Sequence, residues 1–127
     1  MDRGSSSNHI RRLYDSFGFA ARGIWIARTD RNLRIHLIAT ATVVSLVVAY
    51  GVSGSQLGLV VINVAAVISA ELMNTAIERL CDFIAEIHHI GRDPRIRDIK
   101  DLAAGAVLVV AVGAAVNGLI IFGPLLL

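Results

Sequence analysis

The sequence predicts an all-α integral membrane protein: three transmembrane helices behind an N-terminal amphipathic helix that lies on the membrane surface. Three observations carry that prediction. Of the 127 residues, 55% are hydrophobic and only 6% aromatic. Mean hydropathy is +0.67, above the range of a soluble domain of this size, and the apolarity comes from Ala, Val, Ile and Leu. Every Lys, Arg, Asp and Glu falls within residues 2–34 or 71–101, which leaves 35–70 and 102–127 without formal charge. As one straight helix the first gap would reach ~54 Å, too long for a ~30 Å hydrocarbon core, so it must fold back on itself. The length allows one domain, residues 1–127.

The elements follow in chain order. Residues 1–9, MDRGSSSNH, are polar and are expected to be disordered. Over 10–30, Leu13, Phe17, Ala20, Ala21, Ile24 and Trp25 alternate at helical spacing with Arg12, Arg22 and Arg28. That pattern reads as a surface helix anchored by Trp25, not as a signal peptide, whose apolar segment would follow a short basic stretch at once. The first two spans are placed at 33–50 and 56–77, joined through YGVSGSQLG (50–58), whose glycines and serines mark a turn. The third span is 102–124. The N-terminal block, residues 2–34, holds seven Arg, and 79–100 holds four Arg and Lys100, whereas the 51–56 turn and the C-terminus hold no basic residue. The positive-inside rule then places the N-terminus and the second connection in the cytoplasm and the C-terminus outside. Cys81 has no partner for a disulfide and reads as a small packing residue.

Several functions are excluded or disfavoured. No G-x-x-x-x-G-K-[ST] or G-x-G-x-x-G loop is present, nor a cysteine pair or H-E-x-x-H zinc motif. His88 and His89 are adjacent, point about 100° apart on a helix and make a poor chelate. Basic residues are not interleaved with aromatics in the manner of a nucleic-acid surface. Ala111/Ala115 and Ala114/Gly118 are read as helix-packing pairs and Asn117 as an interhelical hydrogen-bonding residue.

The informative stretch is AELMNTAIERLCDF, residues 70–83. At about 100° per residue Glu71, Glu78 and Asp82 fall on one line, and Asn74 sits roughly 60° from it. Leu72, Met73, Ala76, Ile77 and Leu80 occupy the other sides. Glu71 and Glu78 are about 10 Å apart along the axis, with Asp82 near water, Glu78 at the headgroups and Glu71 below the surface. A carboxylate at that depth costs roughly 2.5–3.5 kcal/mol near a helix centre and normally faces a bundle interior or polar cavity. Interfacial solvation, a structural polar seam and a proton or ion pathway compete as explanations. A pathway needs polar groups further across, where only Ser69 and Asn63 occur.

Phosphoryl transfer from ATP to a lipid alcohol matches the stagger. It needs an acid near water to hold Mg²⁺ on the phosphates, the place of Glu78, and a deeper carboxylate to take the hydroxyl proton, the place of Glu71. Asp30, just before the first span, is at the level for a second metal ligand. Lys100 and Asp101, at the entrance to the third span, offer ATP a cation for phosphate and an acid for ribose, adenine or metal. From a different class, a non-enzymatic membrane assembly subunit would use the same acids as its polar seam.

The same stretch resembles the E-x-x-N-[ST]-A-I-E-x-x-x-D signature of the small prokaryotic diacylglycerol kinase and undecaprenol kinase family. SFGFAARGIW (16–25), TDRNLRIH (29–36), IKDLAAGAVLV (99–109) and GLIIFGP (118–124) agree in order, so the likeness covers about residues 11–125. The resemblance implies Glu71 as catalytic base, Asn74 as the amide placing substrate or phosphate, and Asp82 as the acid closing the signature. It implies Glu78 and Asp30 as metal and nucleotide ligands, Lys100 and Asp101 as the nucleotide-contacting pair, and Arg12 as an N-terminal basic residue holding ATP. Mg²⁺, ATP, a homotrimer with sites between subunits and the bacterial inner membrane come with it. Asp30 stands where Glu is commoner, and the 83–99 segment is longer than in the diacylglycerol-specific enterobacterial branch. That branch has Gln and Glu where this chain has Ile35 and His36, and a Trp in its third helix. RNLRIH and GLIIFGP look like the undecaprenol kinase branch, which favours undecaprenol over diacylglycerol as acceptor.

Overall fold

Long runs of good helix formers, broken at three short turns, produce four helices. The computed structural model describes residues 4–91 and 93–126: α1 (Gly4–Ala27), α2 (Arg31–Tyr50), α3 (Gly54–Ile87) and α4 (Pro94–Leu126). The last three are long and apolar enough to cross a membrane.

The boundaries differ from the sequence reading at several places. Helix α1 already begins at Gly4, so the disorder expected for 1–9 is not found over 4–9, and residues 1–3 lie outside the described residues. No proline interrupts this stretch, so nothing in it bars the helix from extending backwards from the apolar alternation. Helix α3 starts at Gly54, two residues ahead of expectation, because Ser53 caps it. The Ser53 hydroxyl accepts from the Gln56 N–H at 3.4 Å and Gln56 Oε1 accepts from the Ser53 N–H at 2.8 Å, a reciprocal capping box. Gly51 turns the chain with φ +67°, a conformation glycine adopts without strain.

The second connection is much shorter than the expected 79–100 loop. Helix α3 continues through ERLCDFIAEI to Ile87, and α4 begins at Pro94. Nothing in Glu78–Ile87 breaks a helix, so leaving the apolar segment does not end it. What ends it is a Schellman arrangement: the Ile90 N–H donates to the Ala85 carbonyl at 3.1 Å and the His89 N–H to the Glu86 carbonyl at 3.3 Å. His89 therefore takes the left-handed position, φ +53°, normally given to glycine. Replacing His89 with Gly relieves the left-handed strain of about 1 kcal/mol, so thermal unfolding of H89G in detergent should shift upward by a few degrees. The other end of the turn is built conventionally, with Pro94 at the first helical position and Asp93 before it. Asp93 Oδ1 accepts from the Arg95 N–H at 2.9 Å, and both its oxygens accept from the Arg95 guanidinium. These bonds hold the Asp93 carboxyl down at about 2.

Helices α3 and α4 pack most extensively, and α2 lies against α3. Asn117 Nδ2 on α4 donates to Asn63 Oδ1 on α3 at 3.3 Å, the interhelical bond expected of Asn117. At the end of the bundle away from residues 71–82, Val60, Ile121 and Phe122 form a buried cluster with Val43, Leu46 and Val47 around it. Helix α1 meets the rest near its C-terminus, where Ala27 is buried and Arg79 Nη2 reaches the Ile26 carbonyl at 3.5 Å. Val48, Leu102, Val109 and Leu119 are exposed, which leaves an apolar exterior of the kind lipid or further helices cover.

Candidate active site

One face of α3 carries the acidic stripe, and its burial changes steadily along the helix. Glu71 is 2% exposed and Asn74 3%, Glu78 is half-buried, and the Asp82 side chain is 68% exposed. Met73, Ala76 and Leu80, on the other sides, are exposed. Helical phase thus sends the deepest carboxylate inward and the shallowest to the rim. Asn74 Nδ2 donates to Glu78 Oε1 at 3.1 Å, which fixes the amide's orientation and leaves Asn74 Oδ1 buried without a partner.

Helix α2 brings the second acid. Asp30 is its N-cap by position, yet the carboxylate makes no capping bond. It turns instead to α3, where Oδ1 accepts from Arg79 Nη2 at 3.4 Å, while Oδ2 is buried with no hydrogen-bond partner. An N-cap aspartate that forgoes its cap gives up about 1 kcal/mol. With a buried oxygen left bare besides, the placement suits an oxygen waiting for a ligand.

Helix α4 closes the cleft. Asn32 and His36 of α2, Glu71 and Asn74 of α3, and Ala104 and Val107 of α4 line a cavity of about 210 Å³. His36 Nε2 stands 4.0 Å from Glu71 Oε2. At the rim, Lys100 Nζ donates to Asp82 Oδ1 at 2.9 Å. That hydrogen bond pushes the Lys100 ammonium, which lies ahead of the apolar span, above its usual range, so it stays a cation at neutral pH.

Beyond His36 a second, apolar cavity of about 590 Å³ runs on between α2, α3 and α4, sharing His36 and Ala111 with the polar cleft. Ala111, Ala114, Ala115 and Gly118 belong to the α4 wall of this groove. Within the chain, the pairs read as helix-packing contacts therefore hold a space open. A Cβ built on Gly118 meets nothing within 4 Å.

A buried carboxylate in a polar cleft that opens on an apolar groove, with Glu78 and Asp30 nearby, is compatible with more than one use, and comparison with known proteins decides the class. The model of the prokaryotic diacylglycerol kinase family matches residues 18–122. The chain belongs to that family. Similar proteins include an undecaprenol kinase of Bacillus subtilis (strain 168), 39% identical over 98% of both chains. A diacylglycerol kinase of Synechocystis sp. (strain ATCC 27184 / PCC 6803 / Kazusa) is 32% identical over 90% of this chain and 65% of that longer protein. No solved structure gives a significant match. The protein is a lipid kinase.

Seen as a kinase site, the expected residues divide into two groups. Glu71, Asn74 and Glu78 share one face of α3, with Asp30 drawn to that helix through Arg79 and Lys100 through Asp82. Two others stay apart. Asp101 is exposed and pairs with Arg97 one turn back, at 3.6 Å. Arg12 is exposed on α1, and its main-chain carbonyl accepts from Ser16 Oγ at 2.8 Å. Among the described residues no three His, Cys, Asp or Glu side chains converge on one metal position. The oxygen donors still suit Mg²⁺ bound to a nucleotide, because that ion takes one or two carboxylates and fills its shell from phosphates and water.

Two residues of the kinase cleft escaped the sequence reading. Arg79, which ties Asp30 and the end of α1 to α3, follows Glu78 directly but lies about 100° round the helix from it. His36 enters the sequence reading only as a position where the enterobacterial branch differs. Its signal was the Asn32–His36 pair, polar residues one turn apart on one face of α2.

Proposed function

We propose that the kinase transfers the γ-phosphate of Mg²⁺-ATP to undecaprenol, yielding undecaprenyl phosphate and ADP. The observation that carries this is Glu71. It is a carboxylate buried in the polar cleft, 4.0 Å from His36, which also lines the apolar groove, so the hydroxyl of a lipid in that groove can reach it. The likeness to the Bacillus undecaprenol kinase over nearly the whole chain supports the choice of acceptor.

In the reaction the acceptor oxygen attacks the γ-phosphorus, and the hydroxyl proton passes to Glu71. The bond from that phosphorus to the β,γ-bridging oxygen breaks, and ADP leaves with the electron pair. Asn74 holds Glu78 in place and turns its free Oδ1 into the cleft. Glu78 and Asp30 would hold the Mg²⁺ of the nucleotide, which neutralises phosphate charge. Lys100 offers a cation to the phosphates, steered by Asp82, and Asp101 and Arg12 complete the nucleotide set. Both of these lie away from the cleft within one chain, which supports a homotrimer whose sites draw on neighbouring subunits. The apolar exterior supports it too. The distribution of Arg and Lys supports an inner-membrane topology with the N-terminus and active site cytoplasmic and the C-terminus outside.

The test is a side-by-side assay of the purified protein with Mg²⁺-ATP and either undecaprenol or a diacylglycerol. Faster phosphorylation of undecaprenol is expected. Preference for diacylglycerol, the acceptor named for the Synechocystis relative, would overturn the choice of acceptor. Phosphorylation of neither lipid would overturn both acceptors and point to another lipid alcohol.

A further inference from the structure

His36 is the one titratable side chain that lines both the polar cleft and the apolar groove among the described residues. Its Nε2 lies 4.0 Å from Glu71 Oε2, too far for a direct hydrogen bond. The gap has the size of one intervening oxygen. A hydroxyl placed about 2.8 Å from each atom would see the two at roughly a right angle. It would then donate its proton to Glu71 and accept from the Nε2–H. Its carbon takes a third direction, along the groove, and one lone pair is left for phosphorus.

The groove has a matching peculiarity. Its wall carries no Asp, Glu, Lys or Arg, and its threonine hydroxyls and the Asn63 carbonyl oxygen already have partners. Thr40 Oγ1 donates to the His36 carbonyl at 2.8 Å and Thr42 Oγ1 to the Ile38 carbonyl at 3.1 Å, while Asn63 is engaged by Asn117. The donor left in that wall, Asn63 Nδ2, lies eight residues and about 12 Å further along α3 than Glu71, so an ester carbonyl beside the acceptor hydroxyl would be buried without a partner, which is costly. The groove therefore suits an acceptor with no polar atom besides its hydroxyl.

Resting on the reading above, we infer that His36 is the positioning residue that aligns the acceptor hydroxyl between itself and Glu71, while the groove held open by Ala114 and Gly118 takes a purely hydrocarbon chain. The other charged groups around Glu71 are Glu78 and Asp30. The α4 side presents Ala104, Val107, Leu108 and Ala111 and Asn74 Nδ2 is engaged by Glu78, so His36 is the titratable donor placed beside Glu71.

The experiment uses the full chain in mixed micelles, with undecaprenol and dioleoylglycerol assayed separately and KM for Mg²⁺-ATP measured in each case. H36L should lower kcat on undecaprenol roughly 100-fold, the scale of a misplaced reacting group, with KM for Mg²⁺-ATP within about twofold of the parent. H36Q keeps a side-chain N–H and should recover most of the loss. G118L, entering open space, should raise KM for undecaprenol about tenfold while kcat and KM for Mg²⁺-ATP hold. Equal losses in H36L and H36Q, a loss carried by KM for Mg²⁺-ATP, or an unchanged KM for undecaprenol in G118L would each overturn the inference. Should the parent prefer dioleoylglycerol, the reading of the acceptor falls, and the hydrocarbon-chain part of the inference with it. The H36L and H36Q ratio on dioleoylglycerol then decides the alignment part by itself.

Discussion

Replacing Glu71 with Gln should reduce phosphorylation of the lipid acceptor roughly 10²- to 10⁴-fold, the range lost with a positioned general base. The substitution keeps size and shape at a side chain that is 2% exposed, so the helix interface is preserved and only the proton acceptor is removed. Glutamine also spares the cost of a charge below the membrane surface, and the variant should unfold at the same temperature as the parent or above it. The measurement pairs initial rates across a range of Mg²⁺ with thermal unfolding in one detergent. Loss of rate that no Mg²⁺ concentration restores, in a protein of undiminished stability, is the expected result. Rates close to those of the parent would remove Glu71 from the chemistry and leave it as part of a polar seam.

Glu78→Gln should fail in a different way. The amide can still accept from Asn74 Nδ2, the bond that Glu78 Oε1 makes at 3.1 Å, so the local structure survives. What disappears is one of the two anionic oxygen donors proposed to hold a nucleotide-bound cation. Removing one unit charge from such a pair should weaken Mg²⁺-ATP use at least roughly tenfold, about 1.4 kcal/mol. Excess Mg²⁺ should restore part of that loss, since mass action compensates affinity but cannot supply a missing base. The contrast between the two variants is the test. If Glu71→Gln and Glu78→Gln respond to Mg²⁺ alike, the division into a deep base and a shallow metal ligand is wrong.

Much of this arrangement was legible in the sequence, for a physical reason. Glu71, Asn74, Glu78 and Asp82 belong to one helix, where 3.6-residue periodicity alone fixes relative direction and depth. The spans were legible because charge is excluded from hydrocarbon, which makes the gaps at 35–70 and 102–127 visible. Helix ends were not, because a helix does not stop where the apolar segment stops. Glu78–Ile87 continues until backbone turns it at His89. Partners across helices were missed for a related reason. The approach of His36 to Glu71, and the turn of Asp30 away from its capping position to Arg79, depend on how α2 rotates against α3. Periodicity within either helix cannot supply that angle. The groove needed the packed structure as well, since a small residue can mark either a close contact or a void.

The unbroken course of α3 from Gly54 to Ile87 makes that helix a ruler. At 1.5 Å per residue its length is about 51 Å, well over the thickness of a hydrocarbon core, and both carboxylates are engraved on it about 10 Å apart. When the surrounding bilayer thins or thickens, the helix tilts as a rod and the two marks move together. The lipid hydroxyl floats with the headgroups instead. Bilayer thickness therefore becomes a variable of catalysis: it sets how well the acceptor comes level with Glu71 while the interval to Glu78 stays fixed.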